Sequence, residues 1–302
     1  MMRISIKTLG LGLLAGALLQ TGCGKKSDGG AAAPGAAPKT VIQNIGSDTM
    51  VNLAQAWAEE YAKVEPAVSV EVSGGGSGIG IAALINKTAD IANASRKLEA
   101  EEVEKAKKVG EDPKEYMVGF DALSIFVNKS NPINAISMEE LGEIYREGGK
   151  ITKWSELGVT IPDAKEDKIV RVSRQNNSGT YHYFREAVLG KKSDYRAGSM
   201  DMNGSKDVVE LISRTPTAIG YCGMAYATPE VKVVKVSKKK GEPGVAPSIA
   251  TTLDKTYPIA RPMFMYTPGE PPAHVKKYLE WIHSDAGQKI VETTGYVPLP
   301  KK

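Results

Sequence analysis

The chain has 302 residues, of which 41% are hydrophobic and 25% charged, ordinary values that exclude collagen-like, coiled-coil and wholly disordered proteins. With 39 Lys and Arg against 35 Asp and Glu, the net charge of +4 is too small for a surface that binds nucleic acid through its phosphates. Three His and two Cys, far apart in the chain, give no metal-ligand spacing. We therefore expect about two domains, with no metal, no cofactor and no nucleic-acid partner.

The first 22 residues have the pattern of a secretory signal peptide. Arg3 and Lys7 precede an apolar run over 9–19 that is too short to span a bilayer. Thr21-Gly22-Cys23 resembles the lipobox of bacterial lipoproteins, in which the Cys is lipidated and becomes the new N-terminus. The resemblance implies a signal peptide over 1–22 and a lipid anchor on Cys23. The alternative is an ordinary cleaved leader with an unmodified Cys.

The next segment has the composition of a tether. Residues 24–39 are Gly, Ala, Pro, Ser, Asp and Lys, with no core-forming residue beyond alanine, so they cannot bury enough apolar surface to fold. We predict that 23–39 is a lipidated Cys followed by a flexible linker. With Cys23 acylated, Cys222 has no partner for a disulfide, and its apolar neighbours indicate a small buried hydrophobe rather than a reactive thiol.

From Thr40 onward, predicted strands and helices alternate. The predicted strands are 41–45, 68–72, 89–94, 116–127, 169–173, 218–221, 231–236 and 261–266; the predicted helices are 50–64, 79–87, 99–108, 137–146, 181–189, 208–213 and 272–283. Repeated β-α-β order predicts an α/β protein with parallel-rich sheets covered by helices. At this length two lobes are expected rather than one large sheet.

Three strand-to-helix junctions share a composition that favours anion binding. They are 46–49 (Gly-Ser-Asp-Thr), 74–78 (Gly-Gly-Gly-Ser-Gly) and 178–180 (Ser-Gly-Thr), the last with Arg174 four residues upstream. Each places hydroxyls and free backbone N–H groups at the positive end of a helix dipole. One such junction is usually only a helix cap. Three of them can converge on one cleft, because ligands of α/β sheets lie beyond the carboxyl ends of the strands.

Sequence motifs for catalysis are missing. The glycine run 74–80 matches neither G-x-G-x-x-G nor G-x-S-x-G, and no P-loop occurs. A Ser-His-Asp triad would need His182, His274 or His283, which lie in predicted helices and are more typical of surface positions. We expect a binding protein, not an enzyme.

Several segments resemble the phosphate-binding proteins of bacterial ABC importers, the PstS family. They occur over 40–300 in the same order as in that family. The matching segments are Ser73-Gly74-Gly75-Gly76-Ser77-Gly78-Ile79-Gly80, Ala89-Asp90-Ile91-Ala92-Asn93-Ala94-Ser95-Arg96, Arg174-Gln175-Asn176-Asn177-Ser178-Gly179-Thr180, Ile144-Tyr145, Gly149-Lys150-Ile151-Thr152-Lys153-Trp154, Ala218-Ile219-Gly220-Tyr221, Tyr257-Pro258-Ile259-Ala260-Arg261-Pro262 and Gly295-Tyr296-Val297-Pro298-Leu299.

This resemblance implies a two-lobed, type II periplasmic-binding-protein fold, with a mixed sheet flanked by helices in each lobe and the ligand cleft between them. Lobe 1 would comprise 40–121 plus 258–302, and lobe 2 would comprise 122–257. Carried over position by position, the phosphate contacts are Ser47, Thr49, Ser77, Gly78, Ser95, Arg96, Arg174, Ser178, Gly179 and Thr180.

Arg96 is a departure from part of the family. Some members have Asp there, which accepts the proton of a protonated phosphate and so rejects sulfate, whereas Arg cannot accept a hydrogen bond. Other members also carry Ser-Arg, so Arg96 is expected as a second cationic contact. The alternative is that Arg96 pairs with Glu99 or Glu102. A carboxylate acceptor would then have to be Asp48, Asp90 or Asp121.

By this resemblance the chain is an extracytoplasmic, lipid-anchored monomer in the periplasm or on the outer face of the cell membrane. It would capture inorganic phosphate and deliver it to the permease subunits of an ABC transporter. The alternatives are a protein for another tetrahedral oxyanion (sulfate, molybdate or tungstate), a phosphate-ester hydrolase using Ser77 or Ser178, and a sensor or adhesion lipoprotein that has lost its ligand.

Overall fold

The computed structural model describes residues 39–301. The expected signal peptide, Cys23 and nearly all of the linker lie outside the described residues. The strands are β1 (Thr40–Gly46), β2 (Val68–Ser73), β3 (Ile91–Ala94), β4 (Lys114–Asn128), β5 (Ala135–Ser137), β6 (Val170–Arg174), β7 (Met200–Met202), β8 (Ala218–Gly223), β9 (Val231–Ser237) and β10 (Ala260–Thr267). The α-helices are α1 (Val51–Val64), α2 (Ser77–Ile85), α3 (Ala100–Lys108), α4 (Met138–Tyr145), α5 (Gly179–Phe184), α6 (Ser205–Arg214), α7 (Ile249–Leu253), α8 (Ala273–Ile282) and α9 (Asp285–Thr293).

The strands form a mixed sheet whose main order is β2-β1-β3-β10-β4-β8-β6-β7. β1 pairs in parallel with β2 and β3, and β6 pairs in parallel with β7 and β8. β10 is antiparallel to both β3 and β4, and β4 is antiparallel to β8 and β9. The predicted α/β class is confirmed, but the sheet is mixed rather than parallel-rich, because the long strands β4 and β10 run against their neighbours.

β4 changes partners midway along its length. Residues 114–122 pair with β10, whereas 123–127 pair with β8, and 125–128 pair with β9 on the other side. The hydrophobic clusters follow the same division. One is built around Trp57 and Tyr278 beneath the first set of strands, and another around Trp154 and Phe184 beneath the second.

The bounds predicted from the sequence agree with those of most helices and strands in the structure to within a few residues. The apolar positions of 50–64 recur every three to four residues, and α1 accordingly buries Leu53, Trp57 and Tyr61. The predicted helix 181–189 begins earlier, at Gly179, and continues as a π-helical turn over 185–189. The helices α7 and α9 and the short strands β5 and β7 were not predicted. Among residues 39–301 no helix is both long and apolar enough to span a bilayer.

Gly80 sets how closely α2 packs on β1. A Cβ there would lie 2.7 Å from Gly46 Cα and closer still to the Ile45 carbonyl. We expect Gly80→Ala to lower the free energy of unfolding by about 1–3 kcal/mol. The added methyl group would clash with backbone atoms, which cannot move aside as a flexible side chain can. Gly142→Ala is the matched control, since the nearest atom to a Cβ at that buried helical glycine is 3.5 Å away. Urea unfolding of both variants measures the difference, and equal stabilities would contradict the close packing of α2.

Candidate functional site

The carboxyl ends of the parallel strands bring the predicted site residues to a common edge. β1 lies between β2 and β3, so the three strands end side by side. Ser47 follows β1, Ser77 begins α2 after the glycine turn that ends β2, and Ser95 follows β3. On the other part of the sheet β6 ends at Arg174, and Ser178 is the N-cap of α5.

Five buried hydroxyls meet at this edge. We call Ser47, Thr49, Ser77, Ser95 and Thr180 the hydroxyl cluster; each is at most 2% exposed. Ser47 Oγ donates to Ser95 Oγ at 2.9 Å, and Ser77 Oγ lies 3.4 Å from Ser95 Oγ. Thr49 Oγ1 and Thr180 Oγ1 are 2.9 Å apart. Half of the ten predicted anion contacts are therefore buried hydroxyls at this edge, which hydrogen-bond within two sets, the three serines and the two threonines.

The start of α5 fits closely against the start of α2. The Gly78 N–H donates to the Asn177 carbonyl at 3.0 Å, and Asn177 Nδ2 donates to the Gly75 carbonyl at 3.0 Å. A Cβ on Gly179 would lie 2.6 Å from Ser95 Oγ and closer still to Ser77 Oγ. Glycine is thus required at 179 for the approach to the hydroxyl cluster.

Ser178 acts as a helix cap in this structure. Its Oγ accepts a hydrogen bond from the Thr180 N–H at 3.2 Å, as expected for a serine at an N-cap.

Aromatic packing holds α5 in place. The rings of Phe184 in α5 and Tyr221 in β8 stack with centroids 3.8 Å apart, and the Tyr221 hydroxyl lies 2.7 Å from Ser173 Oγ. Burial raises the pKa of Tyr221, so its hydroxyl stays protonated. This packing fixes α5 against the end of β6.

Arg174 is fully buried and bound to the turn that carries two of the cluster hydroxyls. Its Nη2 donates to Asp48 Oδ2 at 2.9 Å and to the Asn203 carbonyl at 2.6 Å, and its Nη1 donates to Ser205 Oγ at 3.1 Å. Asp48 Oδ1 accepts from the Gly75 N–H at 2.9 Å. The predicted cation therefore lies beside the cluster, with a carboxylate as its direct partner.

Arg96 does not hydrogen-bond to the hydroxyl cluster in this structure. Its two terminal nitrogens donate to the two carboxylate oxygens of Glu102, each at 2.7 Å. Burial opposes the charge of the guanidinium, but Glu102 outweighs that effect and raises the pKa of Arg96. The ion pair with a nearby glutamate, which was the alternative stated from the sequence, is the arrangement observed. A contact between Arg96 and an anion stays a prediction.

The cation that does contact the cluster is Arg261, which the sequence analysis did not assign to the site. Its Nη2 donates to Thr180 Oγ1 at 2.9 Å and to Thr49 Oγ1 at 3.2 Å. Its Nη1 donates to the Ser95 carbonyl at 3.1 Å. Asp121 holds it from behind, because Asp121 Oδ2 accepts from both Nε and Nη2. Of the three carboxylates considered, Asp48 and Asp121 therefore reach the site, whereas the described contact of Asp90 is with the Gln43 N–H.

Two tyrosines fix the turn that carries Thr49. Tyr226 hydroxyl donates to the Asp48 carbonyl at 2.5 Å, and Tyr296 hydroxyl donates to the Thr49 carbonyl. Burial raises the pKa of both phenols, which therefore remain donors. Because these tyrosines come from distant parts of the chain, the sequence offered no local signal for their role.

A cavity of about 680 Å³ adjoins the cluster. Ser95 and Arg261 belong to both the cavity wall and the site, and Arg96, Arg185 and Lys191 contribute further cationic side chains. Within residues 39–301 no group of three or more His, Cys, Asp or Glu is placed to hold a metal ion. Buried hydroxyls, backbone N–H groups and guanidinium N–H groups are donors that can replace the hydration of a small oxyanion.

Comparison with known proteins agrees with this fold. A family model described as the PBP superfamily domain matches residues 31–286. The chain is 35% identical over 272 residues to the phosphate-binding protein PstS of Pseudomonas aeruginosa, covering 86% of this chain and 84% of that one. It is also 35% identical over 278 residues to the protein SphX of Synechococcus elongatus, covering 88% and 80%.

A solved structure extends the likeness to three dimensions. The chain superimposes with a TM-score of 0.77 and 30% identity on a protein from Clostridium perfringens, described as a phosphate ABC transporter substrate-binding protein with bound phosphate. The alignment covers 86% of this chain and all of the other. The chain therefore belongs to the PBP superfamily and, within it, to the PstS-type phosphate-binding proteins.

Proposed function

We propose that this protein captures inorganic phosphate outside the cytoplasm and delivers it to an ABC permease. The observation that carries the proposal is the hydroxyl cluster: donors from four separate segments of the chain converge, fully buried, beside two arginines. Membership of the PstS-type family supports the same ligand, which is bound in the related Clostridium perfringens structure.

The ligand would be held by donors that take the place of water. Phosphate oxygens would accept from the hydroxyls of the cluster, from the Gly179 N–H and from guanidinium groups. The N–H groups of Gly78 and Thr180, which here donate to the Asn177 carbonyl and to Ser178 Oγ, would have to exchange these acceptors for the anion. In the structure the hydroxyls satisfy one another, so binding exchanges these bonds for stronger, charge-assisted ones. The ten residues carried over from the family resemblance remain our proposed contacts, with Arg96 the outermost because Glu102 holds it.

The protein is proposed to close on its ligand as two lobes, 40–121 with 258–302 and 122–257. The change of partners in β4 at 122/123 and the separate hydrophobic clusters support this division. Bonds between Thr49 and Thr180 and between Asp48 and Arg174 would join the lobes. A ligand that touches both lobes favours the closed form, which the permease would recognise.

Among the described residues, no general base that would favour hydrolysis is placed at Ser77 or Ser178. Within the described residues, Ser77 Oγ bonds to Ser95, and Ser178 Oγ accepts from a backbone N–H. His182 Nε2 lies 2.7 Å from the Asn176 carbonyl and its Nδ1 lies 3.1 Å from Glu99. An activated serine needs such a base within hydrogen-bond reach. We therefore propose that the protein binds its ligand without chemical conversion. We also propose that it acts as a monomer, as the family resemblance implies.

Calorimetry of the protein lacking residues 1–38 tests the ligand. We expect inorganic phosphate to bind tightly, and Arg174→Ala and Ser178→Ala to weaken binding, the arginine change more and by about tenfold or above, because it removes charge-assisted bonds. Circular dichroism establishes that both variants are folded. No heat with phosphate at micromolar protein refutes the ligand, and wild-type affinity in Arg174→Ala removes that residue from the site.

Gly179 offers a steric test of the same site. We expect Gly179→Ala to weaken phosphate binding by at least about tenfold, because the added methyl would displace Ser77 and Ser95 from the start of α5. Gly142→Ala is the control: it makes the same substitution at a glycine where the added Cβ would not meet the hydroxyl cluster, so this variant should bind phosphate like wild type. Calorimetry measures the phosphate affinity of both variants. Equal affinities of Gly179→Ala and Gly142→Ala would mean that the anion binds elsewhere.

Membrane attachment is tested on the full chain. We propose that Cys23 is acylated and anchors the protein on the outer face of a membrane. Cys23→Ser should therefore move the protein from the membrane fraction to the soluble fraction, as followed by immunoblot after fractionation. Cys222→Ser is the control, since Cys222 is fully buried and burial raises the pKa of its thiol. If Cys23→Ser and wild type partition alike, the anchor is excluded.

A further inference from the structure

Tyr183 connects the helix start at the site with the strand that carries Arg261. It lies in α5, three residues after Thr180 and on the same face of the helix. Its hydroxyl donates to the Ala260 carbonyl at 2.6 Å, and Ala260 begins β10 directly before Arg261. In the proposed division α5 belongs to lobe 2 and β10 to lobe 1. This side chain therefore joins the two lobes next to the arginine that contacts the hydroxyl cluster.

The ring of Tyr183 also contacts the guanidinium of Arg261. The Arg261 Cζ atom lies over the ring, 5.4 Å from its centroid, a distance at which a cation is attracted to an aromatic face. Arg261 is 1% exposed, and such an attraction is strongest where water is excluded. The N–H groups of Arg261 donate to other partners, namely Asp121, Ser95, Thr49 and Thr180. The ring therefore attracts the charge of Arg261 without using any of its hydrogens.

Arg261 has more acceptors than its Nη2 hydrogens can serve. Nη2 carries two hydrogens but has three acceptors within 3.2 Å, of which Asp121 Oδ2 is charged and the hydroxyls of Thr49 and Thr180 are neutral. The carboxylate is the stronger acceptor, so it favours a guanidinium displaced toward Asp121 and away from the threonines. The attraction to the Tyr183 ring acts on the whole cation, and it holds Arg261 whichever acceptors its hydrogens use.

The hydroxyl bond to Ala260 determines where the ring of Tyr183 lies. Burial raises the pKa of Tyr183 to about 12, so the phenol stays protonated near neutral pH and remains a donor to the carbonyl. The stacking that holds α5 in place is made instead by the next residue, Phe184, with Tyr221. A change at position 183 therefore acts on Arg261 and its strand and leaves that stacking intact.

We propose that Arg261 is a direct contact of the bound anion and that Tyr183 is its positioning residue. The Tyr183 ring, fixed by its bond to Ala260, keeps the guanidinium beside Thr49 and Thr180. There its N–H groups can exchange the neutral hydroxyls for an oxyanion, which is the stronger acceptor. The inference rests on the phosphate-binding function proposed above. It gives α5 a second task, since the helix that offers donors at its start also orients a cation of the other lobe.

Substitutions at position 183 separate the ring from its hydroxyl. Tyr183→Leu removes both, and calorimetry with inorganic phosphate should show a loss of about tenfold or more, the size expected when a charge-assisted bond to the anion is weakened. Tyr183→Phe keeps the ring and should lose less than about threefold, because the cation still meets an aromatic face. Tyr181→Leu is the matched control. Tyr181 is in the same helix, but its ring stacks on Tyr195, so this variant should bind phosphate like wild type.

The electron density of the ring distinguishes the positioning of Arg261 from simple packing. Phenylalanine analogues with one, two and three ring fluorines are incorporated at position 183. Their shape changes little, but each fluorine withdraws electrons from the ring face and weakens its attraction for a cation. The phosphate affinity should therefore fall stepwise along the series. A residue that only fills space would give the same affinity throughout, as we expect for the same series at position 181.

Arg261→Gln shows whether Tyr183 acts through the arginine. This variant should itself weaken phosphate binding, and Tyr183→Leu added to it should cause no further loss, since the group that the ring positions is gone. Unchanged binding in Arg261→Gln excludes Arg261 as a contact. A further loss in the double variant means that Tyr183 acts on another group. Where Arg261→Gln does not fold by circular dichroism, the fluorinated series decides alone.

The outcomes separate the two proposals. If wild type binds no phosphate, the proposed function itself is wrong, and this inference with it. If wild type binds phosphate but Tyr183→Leu keeps its affinity, the positioning role of Tyr183 is refuted. The same holds if Tyr183→Phe binds as weakly as Tyr183→Leu, or if the fluorinated analogues all bind alike, because the ring would then not be what holds the cation.

Discussion

The satisfaction of buried hydroxyls without water is the constraint on which the site depends. The hydroxyl cluster is drawn from the ends of β1, β2, β3 and β6, and each of its members is shielded from solvent. Buried polar groups need partners, and here they find one another and Arg261. In the proposed binding mode an oxyanion would replace these neutral bonds with charge-assisted ones, so the affinity would be the difference between two satisfied states rather than the sum of all contacts.

The charges around the cluster are closely matched. Arg174 pairs with Asp48, Arg261 with Asp121, and Arg96 with Glu102. The immediate surroundings are therefore nearly neutral, in keeping with a chain whose net charge is only +4. Selection among anions must then come from where donors and acceptors point, because a field of one sign would attract every oxyanion alike.

The site could be predicted from the sequence where the signal was local. Glycine and hydroxyl residues between a strand and a helix identified Ser47, Ser77 and Ser178, since chain direction places such junctions at the carboxyl edge of a parallel sheet. Arg261 could not be found this way. Its position depends on the register of β10 against β4, which joins residues 140 positions apart. Only the pairing of the strands reveals that Asp121 is its partner.

Arg96 shows a different limit of prediction from the sequence. Its sequence position allowed either an anion contact or an ion pair, and in this structure Glu102, in the first turn of α3, pairs with it through both carboxylate oxygens. Glu102 also accepts from the Glu99 N–H at the start of the helix, and this second bond holds its carboxylate in the position where Arg96 meets it. Such preorganisation depends on three-dimensional geometry that residue spacing alone does not specify.

The arrangement also links binding to closure. In the proposed division Arg261, Asp121 and four of the five cluster hydroxyls belong to lobe 1, and Thr180 belongs to lobe 2. The bonds of Thr180 to Thr49 and Arg261 are therefore among those that lobe separation would break. In the proposed binding mode, a ligand that contacts the rest of the hydroxyl cluster on one side and the start of α5 on the other would strengthen that junction. The shift toward the closed form would be limited to the free energy of those contacts made in that form alone, so the groups proposed to bind the anion would also control closure.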